Sequence, residues 1–201
     1  FLVAGLRGAV AEEGQRESID YSASDLWSFR SWSMNVHVEG KQRDRSLRLD
    51  FKLTRNDHEE DMARTELNSW RLEGGVAYHM EYGFEVLGGL RYMDVNIDRT
   101  EDGVSTAGGS ESWVDPIIGA RYAYEFNRNT RFLLRGDAGG FGVGSDFSWN
   151  AFAGFDYFAV NVAFFVGYRI WGVNYSTGSG DSLFKYDLIQ SGLGFGMTFF
   201  L

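Results

Sequence analysis

Apolar residues in this chain recur at every second position. Over 46–54, Leu47, Leu49, Phe51 and Leu53 alternate with Arg48, Asp50, Lys52 and Thr54. The same dyad runs through 70–80, where Trp70, Leu72, Gly74, Val76, Tyr78 and Met80 oppose Arg71, Glu73, Gly75, Ala77 and His79. Near the C-terminus Leu193, Phe195, Met197, Phe199 and Leu201 alternate with glycines, Thr198 and Phe200. Period two marks a strand whose faces meet different surroundings, and no helical periodicity competes. Broken at polar and glycine-rich clusters, the pattern predicts ten strands, at 1–11, 26–39, 45–55, 67–80, 83–98, 113–126, 130–143, 148–156, 160–175 and 184–201. The connections alternate too. Segments 12–25, 56–66, 99–112, 144–147 and 176–183 read as mostly long polar loops, and 40–44, 81–82, 127–129 and 157–159 as short turns. This rhythm predicts an all-β, ten-stranded antiparallel up-and-down barrel forming a single domain over 1–201, with eight strands as the alternative count.

Sorting the strands by parity separates two faces. One collects Leu47, Leu49, Phe51, Val86, Leu90, Tyr92, Ile118, Tyr122, Phe155, Val166, Tyr168 and Ile170, and is almost free of charge. The other holds nine cations (Arg7, Arg48, Lys52, Arg71, Arg91, Arg121, Arg131, Arg135, Arg169) and seven anions (Glu39, Asp50, Glu73, Glu85, Asp115, Glu125, Asp137). A soluble lipocalin-like barrel would turn its charges to water and line a ligand cavity with the apolar face. An outer-membrane barrel does the reverse. Small residues favour the second arrangement. Gly75, Ala77, Gly89, Gly119, Ala123 and Gly139 share the charged face, where side chains converge if that face is concave. The near balance of charge also suits a semi-dry interior, because an unpaired buried charge is costly. Aromatics such as Trp27, Tyr78, Tyr82, Tyr92, Trp149 and Trp171 sit near strand ends, as interfacial girdles require.

Composition narrows the choices further. The chain has 201 residues, 26 Gly, one Pro, no Cys and a formal charge of −9. The charge argues against nucleic acid as a partner. The lack of cysteine removes disulfides, thiolate metal sites and a cysteine nucleophile. No run of about 18 apolar residues occurs, so no transmembrane helix is expected.

Two tracts carry a resemblance. Trp113-Val-Asp-Pro-Ile-Ile-Gly-Ala-Arg-Tyr122 and Arg135-Gly-Asp-Ala-Gly-Gly-Phe-Gly-Val-Gly-Ser-Asp-Phe-Ser-Trp149 resemble a widespread family of small Gram-negative outer-membrane β-barrel proteins, as does Gly167-Tyr-Arg ahead of Val173-Asn-Tyr. The similarity is good over 70–201 and weak over 1–69. It implies a bacterial outer-membrane location, with the signal peptide removed before Phe1 and outer-membrane lipid and lipopolysaccharide as surroundings. Membrane or periplasmic protein partners are compatible with it. Most such proteins have no assigned biochemical role.

The candidate site is an interior charge network: Arg7, Arg48, Asp50, Arg71, Glu73, Glu85, Arg91, Asp115, Arg121, Arg135, Asp137 and Arg169. Asp115, Arg121, Arg135, Asp137 and Arg169 are expected near mid-barrel. Ten strands lined by arginines predict a largely plugged lumen, and hence a structural or interaction scaffold with acidic external loops. A narrow pore for small solutes is the runner-up, since charged rings set selectivity. His58, in the acidic stretch 57–61, raises a rim hydrolase as a lesser alternative. The sequence otherwise points to no enzyme, and to no catalytic residue, metal or cofactor. The glycines at 136–144 lack the following helix that a phosphate loop needs.

Overall fold

The structure, a computed structural model, describes residues 2–12, 15–21, 32–60, 63–101, 104–179 and 184–200, with side chains from Ser33 onward apart from 56–65, Arg99 and 101–108. The strands are β1 (Leu2–Glu12), β2 (Gln15–Tyr21), β3 (Trp32–Gln42), β4 (Arg45–Glu60), β5 (Ala63–His79), β6 (Phe84–Glu101), β7 (Val104–Asn127), β8 (Thr130–Gly139), β9 (Phe147–Ala159), β10 (Val162–Thr177) and β11 (Phe184–Phe199). They form one antiparallel sheet. The nine from β3 to β11 follow one another as an up-and-down meander, and β1 pairs with β11 on one side and β2 on the other.

The sheet is strongly curled. Glu39 on β3 reaches Arg121 on β7 at 3.2 Å, and Lys52 on β4 reaches Gln190 on β11 at 3.0 Å. β1 also lies against β3. Crowding inside the curl explains the glycines there. Gly119 stands opposite Asp137, and a Cβ on it would meet the Asp137 Cβ at 2.6 Å.

Several boundaries differ from expectation. Expected loop 12–25 contains β2, and β3 starts at Trp32 where a strand was expected from 26. Segments 56–66 and 99–112 are not loops: β4 and β5 run on to Glu60 and Ala63, and β6 and β7 to Glu101 and Val104. Much of the acidic sequence read as loop, Asp57, Glu59, Glu60, Glu66 and Glu111 included, therefore lies in strands, as does His58. β8 ends at Gly139, four residues early, because the chain turns there with Gly140 and Gly142 at positive φ.

The long strands change character along their length. In their lower part the outward side is apolar and exposed: Leu47, Leu49, Val76, Val86, Leu90, Ile118, Leu134, Phe155, Val166 and Leu193. Past Trp70 on β5, Tyr92 on β6 and Val114 on β7, the outward positions become Asn68, Asp94, Asn96, Ser110 and Ser112. The inward positions become Leu67, Met93, Val95 and Trp113, all buried. The two levels coincide across the sheet, since Tyr92 pairs with both Leu72 and Val114. Trp70 packs on Tyr92 there, with centroids 4.7 Å apart. Charged-inside, apolar-outside construction thus gives way at one height to apolar-inside, polar-outside construction.

Candidate functional site

The interior is built in three tiers. At its centre Arg91 is fully buried, because β6 sets it between Glu73 on β5 and Asp115 on β7. Its Nε and Nη2 donate to Glu73 Oε2 at 3.1 and 3.0 Å. Nη2 also donates to Asp137, and Nη1 to Ser148 Oγ at 3.4 Å. Arg135 completes the tier. It donates through Nε to Asp137 Oδ2 at 3.1 Å and through Nη2 to Glu73, and lies 3.8 Å from Asp50. Asn150 Nδ2 donates to Asp137 at 2.9 Å. Two cations and two carboxylates thus alternate in a closed square, an arrangement that offsets the desolvation of each.

A second tier lies toward the short turns. Arg121 forks onto Glu85 at 2.7 and 2.8 Å and onto Glu39 at 3.2 Å. Two-pronged pairing of this kind fixes geometry as well as charge. Arg48 donates to Glu39 at 3.1 Å and lies 3.6 Å from Glu85. His37 Nδ1 lies 2.8 Å from Asp50, and His79 Nδ1 lies 2.9 Å from Glu85. Between these tiers is a cavity of about 10 Å³ bordered by Arg48, Asp50, Glu73 and Arg135, roughly the room one water needs.

The third tier joins charge to apolar packing. Lys52 donates to Gln190, the Arg71 guanidinium sits 5.6 Å from the Trp171 ring centroid, and that of Arg169 sits 5.6 Å from the Phe152 ring centroid. Beyond it Leu67, Met93, Val95, Trp113, Trp171, Val173, Tyr175, Phe184, Tyr186 and Leu188 form a buried cluster. Trp113 stacks on Tyr175 at 4.1 Å. This cluster draws β5–β7 onto β10 and β11, and caps the interior at the long-hairpin end.

The expected mid-barrel group is therefore only partly together. Arg135 and Asp137 meet in the central square, whereas Arg121 belongs to the second tier and Arg169 packs on Phe152. Asp115, fully buried, serves a different purpose. It accepts hydrogen bonds from Ser145 N at 2.6 Å, Ser145 Oγ at 2.7 Å and Ser148 Oγ at 2.9 Å. It clasps the 140–146 turn to β7, so the two tracts that carried the family resemblance meet here. Gly144 permits the clasp, since a Cβ would lie 2.7 Å from Asp115 Oδ1. Arg48, Arg71, Glu73, Glu85 and Arg91 are buried on the charged side of the sheet, and Asp50 is half-buried beside them. The side chains of Arg7 and His58 lie outside the described residues.

Sequence reasoning missed the apolar cap and the serine clasp. Trp171, read as a girdle residue, is 5% exposed inside the curl. The signal was available: Trp171, Val173 and Tyr175 continue the inward parity of Arg169. No family model matches this chain, and no curated protein is significantly similar to it in sequence.

Proposed function

We propose that this chain is a bacterial outer-membrane β-barrel of ten spanning strands. Its lumen is plugged, and it acts as a structural and interaction scaffold, not an enzyme. The observation that carries the reading is the reversal of polarity at one height around the sheet. An apolar outward face beside ion-paired inward positions suits strands in lipid; the opposite arrangement just above suits the same strands in water. The heights agree. From Trp70 to Met80 the outward apolar run rises roughly 33 Å along the strand, or about 25 Å after a tilt near 40°, close to the band of known outer-membrane barrels. Tyr78, Tyr82, Phe84, Tyr124 and Tyr157 cluster toward the other end of the band, where a second interface would lie.

Lipid and lipopolysaccharide then surround the band, the strand extensions above it present Glu66, Asp94 and Asp98 to membrane partners, and the short turns face periplasmic ones. The central square, the second tier and the apolar cap each obstruct the lumen. The experiment is single-channel recording of the purified protein in planar bilayers, beside a solubility test without detergent. The expected result is insertion without discrete openings. Reproducible openings would favour the narrow pore, and a monomer stable without detergent would exclude the membrane reading.

A further inference from the structure

The β8–β9 hairpin stops where its neighbours continue. β8 ends at Gly139, opposite Ile117, while β7 runs on past Val114 into its polar extension. The connecting turn, 140–146, lies beside residues 114–116: Gly140 N donates to Pro116 O at 3.1 Å, and Asp115 holds Ser145. Val114 is the partner of Tyr92, so this turn sits at the height where outward polarity reverses.

The turn is rigid and greasy. Gly142 N donates to Ser145 O at 3.1 Å and Val143 N to Gly140 O at 3.0 Å. Phe141 adopts a left-handed backbone, φ 52, a conformation that suits glycine or asparagine and strains a bulky residue. It is nonetheless 54% exposed, and Val143 is 75% exposed. The Phe141 ring meets Phe147 edge-on at 6.5 Å, and Phe147 stands on the outward parity of β9 with Phe155 and Tyr157. The strain thus holds an aromatic ring on the outer side, continuous with the apolar band. Strain retained by a clasped turn is a mark of a placed side chain.

We propose that the 140–146 turn is a lipid anchor, with Phe141 and Val143 inserted among acyl chains of the outer leaflet at a low point in the wall. The inference rests on the membrane reading and specifies where the chain grips the bilayer. Continuity with the outward apolar face selects acyl chains as the occupant.

The chain has no cysteine, so single-cysteine variants can be spin-labelled cleanly. Phe141→Cys, Val143→Cys, Leu90→Cys in the band and Asn96→Cys above it are reconstituted as full chains in phosphatidylcholine–phosphatidylglycerol vesicles. Collision with dissolved oxygen and with a water-soluble nickel chelate is then measured. Labels at 141 and 143 should resemble Leu90→Cys, accessible to oxygen and shielded from the chelate. If they resemble Asn96→Cys while Leu90→Cys stays shielded, the anchor is wrong and the band survives. If Leu90→Cys is also open to the chelate, the membrane reading fails. Dipolar broadening between labels at 141 would place a second copy on the turn and overturn the lipid assignment.

Discussion

Replacing Arg91 by methionine removes the one cation that touches both Glu73 and Asp137 from the β6 side. The two carboxylates would then share Arg135, with Asn150 the other donor to Asp137. All of these groups are well buried, so the loss leaves two carboxylates facing one guanidinium within the square, at a site with room for little more than a single water. Breaking a buried pair in this way costs about 3–5 kcal/mol. With a urea slope of about 3 kcal/mol/M, the unfolding midpoint in detergent micelles should fall by roughly 1–1.7 M. A second substitution, Glu73→Met on top of Arg91→Met, should recover part of the loss, because it removes a carboxylate together with its missing partner. Intrinsic fluorescence from the six tryptophans reports both transitions. A midpoint for Arg91→Met within about 0.2 M of the parent would refute the reasoning. It would mean that the central square is hydrated, and the plug would lose its physical basis.

Three further outcomes are expected. Leu90→Arg, outward in the band, should destabilise the chain in lipid by about 2–4 kcal/mol, whereas Asn96→Arg, three outward positions further along β6, should cost at most about 1 kcal/mol; equal costs would erase the boundary. Trp113→Ala should lower stability by about 3–5 kcal/mol through the cavity it leaves and still give no conductance, because the charged tiers remain closed. Asp115→Ala should release the 140–146 turn, seen as a more mobile spin label at Val143→Cys in the same vesicles; an unchanged spectrum would remove the clasp from the account.

Period two was enough to sort the faces. Leu47, Leu90, Ile118 and Val166 are exposed and Arg48, Arg91 and Asp137 buried, as parity alone requires. Strand ends were less legible. The expected strands reach Leu67 and Ile97, past the height where the faces exchange, but the flanking stretches 56–66 and 99–112 are so rich in charged and small polar residues that they read as loops although β4 to β7 continue into them. Partners across the interior, such as Lys52 with Gln190 or Glu39 with Arg121, depend on how tightly the sheet curls, which no local pattern encodes. Asp115 looked like one more network charge because the groups that donate to it, on Ser145 and Ser148, carry no charge to advertise them.

The aromatic cap and the ionic square also answer to different conditions. Cohesion among Trp113, Tyr175 and Tyr186 derives from the release of water, which weakens on cooling and strengthens in sulfate. Arg91 with Glu73 and Asp137 is too deep for dissolved salt to screen. Chilling should therefore fray the long-hairpin end of the sheet while the waist stays shut, giving one chain two separately adjustable latches.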